Sequence, residues 1–292
     1  MSEKELTELA RDAKLNRTLQ HIHSIPSYPE IIHEVSKLVS DPMASASRLG
    51  EIVNRDQSLV AKILSVANSP FYGIVRRVST VQFAIMILGF EQVRDIVIGI
   101  SLLDSFNKVV SPYFNQKKYW QHSLMTATTA KKLCEDLGLQ NSGEAFTAGL
   151  LHDLGIPIIG KYFPKEFGQI NEAVAQGSTF LEAEASVLGI GHQEVAGVLM
   201  EKWNLPFALI EAVKYHHCPV QAVDSRELAS IIHLADYMTT VLQTGDFIWD
   251  KDYNFDKDTI TVLKLGDEEY LSGFIESYRE MFRNQLQALS HQ

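Results

Sequence analysis

The sequence is poor in cysteine and in long apolar runs. It has two cysteines, Cys134 and Cys218, which lie far apart and form no CxxC spacing. This argues against both a disulfide framework and a thiolate zinc site, so we expect reduced thiols. The longest apolar stretches, such as Ile96 to Leu103, are much shorter than the roughly 20 residues of a membrane-spanning helix. We therefore expect no membrane span.

The chain also lacks a basic segment. Its formal net charge is -10 at pH 7, and the basic pair Arg76 and Arg77 is short. Extended binding to nucleic-acid phosphates is therefore not expected. The charged, helix-like N-terminus has no apolar run of the kind found in secretory signals. We expect a cytoplasmic protein whose partner is a protein, a nucleotide or a metal ion.

What the sequence does contain is helical periodicity. The chain has 292 residues and 46% hydrophobic content, enough for a buried core. Apolar residues recur at helical spacing, with a break near Gly89 and a cap at Asp56, and no sustained alternation requires a sheet. We predict an all-α fold.

The predicted helices fall into three groups. A five-helix N-terminal module covers residues 1–110, a second helical bundle covers 111–245, and a tail with a last amphipathic helix covers 246–292. The polar, turn-forming segment 111–118 is the candidate boundary, although both sides of it can share one core. The tail either caps the domain or contacts a partner.

Histidine and aspartate form an ordered series in the second bundle, which consists of His122, His152, Asp153, His192, His216, His217 and Asp236. The surrounding residues place each of them on a predicted apolar helix or at its end, and a charge inside such a helix needs a partner. Imidazoles and carboxylates suit first-row divalent metals, and a shared carboxylate can bridge two ions. The series predicts a site for one or two ions, whereas any one of these histidines alone is more typical of packing or of the surface.

Two comparisons of motifs connect the chain to a known family. The order His, His-Asp, His, His-His, Asp resembles the HD superfamily of metal-dependent phosphohydrolases. The stretches SIPSYPEIIHEVSKLVSDP, ANSPFYG, AFTAGLLHDLGIPII and EKWNLP resemble HDOD domains, the HD-related output domains of bacterial signalling proteins. The resemblance covers residues 17–245. It implies an N-terminal helical module packed on an HD-type helical bundle.

The resemblance also implies how the ligands are divided. One ion would be surrounded by His122, His152, Asp153 and Asp236, and a second by Asp153, His192, His216 and His217, with Asp153 as the bridge. The expected cofactor is Fe or Mn. HDOD domains are usually regarded as non-catalytic, yet this sequence keeps the whole set, which favours metal binding over turnover.

Two departures weaken a resemblance to the HD-GYP phosphodiesterases. The residues after His217 lack the Gly-Tyr-Pro loop, and Lys118 stands where those enzymes place a glutamate ligand. We therefore expect a regulatory module that acts through a signalling protein partner. A metal-dependent phosphohydrolase acting on a nucleotide or cyclic dinucleotide is the alternative, and a redox di-iron centre is a third possibility.

Four further features of the sequence are candidates for a functional role. Lys161 is either a phosphate-facing cation or a solvated helix lysine, with the second favoured. His233 is a candidate partner of Asp236 on the same helix face. Phe71 and Tyr72 of SPFYG either pack between helices or form a recognition loop. The remaining cluster, His21, His23 and His33, is interpreted as surface histidine.

Overall fold

The structure, a computed structural model, consists of helices. It describes residues 17–22, 25, 30–40, 42–74, 76–106, 109, 111–242 and 255–290. No strand occurs in these residues, so the predicted all-α fold is confirmed. In chain order the α-helices are α1 (17–22), α2 (Glu30–Ser36), α3 (Pro42–Val53), α4 (Gln57–Ala67), α5 (Val81–Leu88), α6 (Phe90–Phe106), α7 (Gln116–Asp136), α8 (Ser142–Leu151), α9 (Gly155–Tyr162), α10 (Pro164–Ala175), α11 (Phe180–Leu188), α12 (His192–Lys202), α13 (Phe207–Lys214), α14 (Arg226–Val241), α15 (Asp258–Val262), α16 (Glu268–Ser277) and α17 (Arg279–Ser290).

Local sequence signals set several helix ends. The Asp56 carboxylate accepts hydrogen bonds from the backbone N–H groups of Ser58 and Leu59 at the start of α4, as its position predicts. The predicted break near Gly89 separates α5 from α6. The Thr179 hydroxyl and the Glu182 carboxylate form a reciprocal capping box at the start of α11. Capping residues and glycines therefore account for these boundaries.

Helix α7 lies at the centre of the bundle, where it packs against α8 and α14. A glycine lets α8 come close, because a Cβ atom at Gly149 would lie 2.8 Å from the Cα atom of Ala127 on α7. The N-terminal helices join the same core through α6, where Gly99 faces the side chain of Leu150 on α8. One hydrophobic cluster extends from Ile22 to Leu289. The division at 111–118 remains a prediction, since helices on both sides of it share this core.

The C-terminal helix α17 is part of the core. Phe282 is 1% exposed, and its ring lies 6.1 Å from that of Phe71. The Ser69 hydroxyl also donates to the side-chain oxygen of Gln285 at 2.6 Å. The apolar face of α17 thus covers the bundle, and Phe71 packs between helices. Most of the Asp-rich and aromatic segment before these helices, 243–254, lies outside the described residues.

None of the helices in the described parts of the chain combines the length and apolar composition needed to cross a membrane. The charged groups of these helices are instead distributed along faces that alternate with buried apolar residues. In α10, for example, Phe167 and Ile170 are buried while Lys165 and Glu172 are exposed. This is the pattern of helices that pack on one side against a protein core.

Candidate metal centre

The structure brings all seven residues of the histidine and aspartate series together in the middle of the bundle. Each comes from a different position in the fold, at a helix end or on a buried helix face. His122 lies on α7, His152 and Asp153 follow α8, His192 begins α12, His216 and His217 follow α13, and Asp236 lies within α14. Five separate chain segments therefore converge on one point.

His152 and Asp153 directly follow the end of α8. That helix ends at Leu151, and α9 begins at Gly155. The two residues occupy the tight connection, in which the Leu154 N–H donates to the Leu151 carbonyl at 2.9 Å. The connection turns Asp153 toward the centre of the cluster.

Gly155 permits this arrangement by its lack of a side chain. A Cβ atom at this position would lie 1.9 Å from the carbonyl oxygen of His192. Such a separation is far below any non-bonded contact between carbon and oxygen. The glycine therefore allows the start of α9 to touch the start of α12, and this contact places Asp153 opposite His192.

The first part of the cluster is centred on His122. Its Nε2 atom lies 3.1 Å from Nε2 of His152, 3.3 Å from Oδ2 of Asp153 and 3.2 Å from Oδ1 of Asp236. All four side chains are 0% exposed. Two ligand atoms that bind one ion at about 2.1 Å and at right angles are about 3.0 Å apart. The three distances from Nε2 of His122 are close to this ligand–ligand separation.

The second part of the cluster uses the other oxygen of Asp153. Oδ1 lies 3.2 Å from Nε2 of His192 and 3.8 Å from Nε2 of His216. His217 completes the group, with its Nε2 atom 3.1 Å from that of His192. Asp153 thus directs one oxygen toward each part. A carboxylate in this position is suited to bridge two ions.

The donor atoms also fit a cation because they are otherwise unsatisfied. Both carboxylate oxygens of Asp153 and of Asp236, and the Nε2 atom of His216, are buried without a hydrogen-bond partner. Burying carboxylates without compensation is costly, whereas a divalent ion compensates them directly. Nitrogen and carboxylate donors suit Fe, Mn and Zn. The residues present therefore fit one or two divalent ions, although their role as ligands remains a prediction.

Backbone carbonyls orient two of the imidazoles. The Nδ1–H group of His152 donates to the Gly149 carbonyl at 2.8 Å, and that of His216 donates to the Val213 carbonyl at 2.7 Å. Since a carbonyl oxygen can only accept, Nδ1 carries a proton in both rings and Nε2 faces the cluster. In this orientation Nε2 is the atom that can bind a metal ion once it carries no proton itself.

Glu184 on α11 orients His192 and was not among the predicted residues. Its Oε2 atom accepts a hydrogen bond from Nδ1 of His192 at 2.9 Å and another from the His192 backbone N–H at 2.9 Å. The side chain is 0% exposed. A signal for it does exist in the sequence, because Glu184 lies four residues after Phe180 and four before Leu188, on the buried face of α11.

Burial and the neighbouring charged side chains together determine the protonation states of the cluster residues. Burial alone would raise the pKa of Asp153, but the histidines around it, His152 first, hold that pKa well below its usual range. Burial lowers the pKa of His216 to about 3, so this ring is neutral at pH 7. Burial also acts to lower the pKa of His192, but the Glu184 carboxylate and Asp153 raise it to about 10. Metal binding at His192 would therefore displace a proton.

His233 supports the site from outside the cluster. Its Nδ1 atom donates to the His216 carbonyl at 2.7 Å, and its Nε2 atom accepts from the Asp256 backbone N–H at 2.8 Å. It thus fixes the backbone at His216 and connects it to the segment before α15. The pairing of His233 with Asp236 on the same helix face stays a prediction.

The other features singled out from the sequence serve the fold. The Lys161 ammonium donates to the Ser105 carbonyl at 3.0 Å and lies 5.5 Å from the ring centroid of Phe106. These two contacts give Lys161 a structural role between α9 and α6.

The N-terminal histidines lie away from the cluster. His21 and His33 are exposed, as predicted, and His23 lies outside the described residues.

Comparison with known proteins places the chain in a family. The family model of the HDOD domain matches residues 25–219. The chain belongs to the HDOD domain family. This HDOD protein is also 23% identical, over 198 residues, to an uncharacterized protein of Treponema pallidum. Those residues are 67% of this chain and 38% of the relative, so the chain spans well under half of that relative's length.

Solved structures confirm the fold of this HDOD protein. An HDOD domain protein of unknown function from Geobacter sulfurreducens is 26% identical, with a TM-score of 0.75 over 94% of this chain and 98% of that chain. A candidate phosphohydrolase from Shewanella amazonensis is 23% identical, with a TM-score of 0.70 over 93% and 97%. A candidate signal transduction protein from Marinobacter aquaeolei is 22% identical, with a TM-score of 0.71 over 97% and 66%. The last two likenesses concern the fold alone.

Proposed function

We propose that this HDOD protein is a regulatory module that holds one or two divalent metal ions, Fe or Mn, in the buried cluster and acts through contacts with a signalling protein. The observation that carries the proposal is the burial of a complete ligand set. His122, His152, Asp153, His216 and Asp236 are all 0% exposed, and His192 is 1% exposed. A set of donors this deep is suited to hold an ion and poorly suited to admit a substrate.

Six of the seven side chains of the cluster are buried, and His217 is the one that is part-buried. Asp153 is 0% exposed, so a phosphoester could reach its oxygens only if neighbouring side chains moved. Catalytic sites generally keep an open position for the substrate. The enclosure therefore supports a structural or regulatory role for the ions.

The position of the cluster supports a regulatory role in a second way. Its residues come from five chain segments, and the carboxylate oxygens of Asp153 and Asp236 are buried without a hydrogen-bond partner. Loss of the ion would leave the carboxylates of Asp153 and Asp236 with the surrounding histidines as their only charge compensation among the described residues. Metal occupancy would thus change the stability of the packing between these helices. A partner protein that binds the surface of the bundle would then bind the metal-loaded and metal-free forms with different affinities.

A metal-dependent phosphohydrolase is the second candidate. It is favoured by the way Asp153 directs one oxygen to His122 and the other to His192, and the name of the Shewanella relative points the same way. When bound, a divalent ion supplies Lewis-acid activation of water or of a phosphoryl oxygen. His217, as the part-buried member, would be the first of the seven to meet a substrate.

One experiment separates the two candidates. The protein is loaded with Mn²⁺ or Fe²⁺ and tested with nucleotides, cyclic dinucleotides and a generic phosphodiester, while thermal unfolding is followed with and without metal. The regulatory proposal predicts a higher Tm with metal and no hydrolysis above that of the metal-free protein. Hydrolysis that Asp153→Asn abolishes, and that the exposed control Asp224→Asn retains, would contradict it and establish the phosphohydrolase.

A further inference from the structure

A large surface cavity lies away from the metal cluster. Its volume is about 920 Å³, within the range of small-molecule sites in proteins. It is formed by α4, the segment 77–79, the first half of α7 and the end of α17. None of the seven residues of the metal cluster lines it. We refer to this cavity as the α4–α7 groove.

The charge of the groove is opposite to that of the protein. The chain carries a net charge of -10, yet no Asp or Glu is among the described residues that line the groove, whereas Lys62, Arg77 and Lys117 are. Lys62 forms an ion pair with Asp104. Arg77 and Lys117 are exposed and have no ion pair with any residue that the structure describes. Two uncompensated cations therefore face one groove, as an anion site requires.

An aromatic side chain lines the same groove as these cations. Trp120 on α7 lines the groove, and the ammonium group of Lys62 lies 5.4 Å from the centroid of its ring. Aromatic rings beside basic side chains bind the bases of nucleotides by stacking, and phosphates by charge. Inorganic anions alone would make no use of Trp120. The combination of ring and cations thus favours a ligand that has both an aromatic ring and a phosphate.

The groove is held in shape before any ligand binds. The Asn68 side chain donates to the Val78 carbonyl at 2.8 Å and accepts from the Val78 N–H at 2.7 Å. These bonds fix the backbone next to Arg77 against α4. At the other end, the Gln121 amide donates to the Leu289 carbonyl at 3.4 Å and joins α7 to α17. Fixed walls reduce the ordering cost that a ligand has to overcome.

We propose that the α4–α7 groove binds a nucleoside phosphate, with Arg77 and Lys117 at the phosphates and Trp120 against the base. The site is independent of the metal cluster, but α7 belongs to both, since Trp120 and Gln121 line the groove and His122 faces the cluster. A nucleotide in the groove would contact N-terminal, central and C-terminal helices at once. It would thus supply the small-molecule input of a regulatory module.

The test is a titration of the 292-residue chain with fluorescent mant-ATP and mant-GTP, followed by anisotropy. We expect binding to the wild type, competition by unlabelled nucleotide, and a Kd raised about tenfold or more by Arg77→Gln and by Lys117→Gln, because each removes a charged contact. Trp120→Ala should raise Kd about fivefold or more. Arg76→Gln and Lys165→Gln are matched controls, exposed but outside the groove, and should leave Kd unchanged.

Several results would overturn the proposal. These are no binding by the wild type at about 1 mM nucleotide, unchanged Kd in both Arg77→Gln and Lys117→Gln, or much tighter binding of a single-stranded oligonucleotide to the same residues. The titration is repeated with Asp153→Asn, which alters the metal cluster alone. Loss of nucleotide binding in that variant, with binding retained in the groove variants, would assign the nucleotide to the metal centre. The experiment therefore distinguishes a failure of the nucleotide-binding proposal from a failure of the metal-binding proposal.

Discussion

Asp153 and His192 face each other across the bundle, with Oδ1 of the aspartate 3.2 Å from Nε2 of the histidine. The aspartate stands in the connection after α8 and the histidine is the first residue of α12. The contact between them depends on Gly155, whose missing side chain lets the two segments touch. The geometry of the candidate metal centre thus depends on the backbone contact between Gly155 and His192 as well as on the ligand side chains.

Glu184→Ala should weaken metal binding without touching a predicted ligand. The carboxylate holds Nδ1 and the backbone N–H of His192, and loss of such a supporting partner typically lowers metal affinity by about 10–100-fold. Two buried donors would also lose their acceptor, at about 1–3 kcal/mol each in the free energy of unfolding. Competition with a chelating dye measures the metal Kd, and denaturant unfolding measures stability.

The matched control for Glu184 is Glu201→Ala, at an exposed position on α12. It should change neither quantity appreciably. If Glu184→Ala lowered stability but left the metal Kd at its wild-type value, the glutamate would serve the fold alone, and its part in the metal centre would be wrong.

Much of the site was predictable because its residues carry local signals. His122, His192 and Asp236 lie on or beside apolar helices, and the adjacent pair His152 and Asp153 is unusual in such surroundings. Helical periodicity likewise predicts the all-α fold. These features are recorded in short stretches of sequence and do not depend on tertiary contacts.

Other parts of the site were not predicted, for physical reasons. Glu184 and Glu182 belong to the same short helix, yet the first is 0% exposed and the second caps the helix in solvent. The capping pattern of Thr179 and Glu182 and the phase of the apolar face distinguish the two glutamates. Gly155 looks like a helix stop, and its close approach to His192 depends on how two distant helices pack. A tertiary contact of that kind leaves no periodic trace in the sequence.

Gly155→Ala and Gly168→Ala should have opposite effects on stability. The added methyl group at position 155 would collide with the His192 carbonyl, and overpacking of this kind costs about 1–3 kcal/mol or more. Gly168 lies inside α10 with open space around it, so alanine should stabilise the helix by up to about 1 kcal/mol. Urea denaturation measures both values.

The same pair of variants tests the link between the backbone contact and the metal centre. Gly155→Ala should also weaken metal binding, since it moves His192 relative to Asp153, whereas Gly168→Ala should not. Equal metal affinity in both variants would show that the approach of α9 to α12 does not position the ligands.

Glu211 should make stability depend on acidic pH. Burial acts to raise the pKa of its carboxyl, but the backbone N–H groups of Val223, Asp224 and Ser225 outweigh burial and hold that pKa below its usual 4.5. A carboxyl with a lowered folded-state pKa contributes stability above the unfolded pKa and loses it as pH falls through the folded one. The contribution is therefore complete at pH 7 and declines below about pH 4.5.

Glu211→Gln should lower the free energy of unfolding by about 1.5–3 kcal/mol at pH 7. The substitution replaces one carboxylate oxygen by an NH₂ group, which cannot accept a hydrogen bond from the backbone N–H groups that face it. The gap between the wild type and the variant should narrow as the pH is lowered from 4.5 toward the acid transition. Glu172→Gln, on the exposed face of α10, is the control and should change stability by less than about 0.5 kcal/mol at every pH. A gap that stayed constant with pH would mean that the Glu211 charge is unimportant.

The most direct test of the metal centre is elemental analysis of the purified chain. After loading with Fe²⁺ or Mn²⁺ and removal of free ions, we predict one or two ions per chain in the wild type, a loss of metal in Asp153→Asn, and retention in Asp224→Asn. Asp153 is decisive because its two oxygens serve both parts of the cluster. Folded wild-type protein that retained no metal after loading would contradict the account.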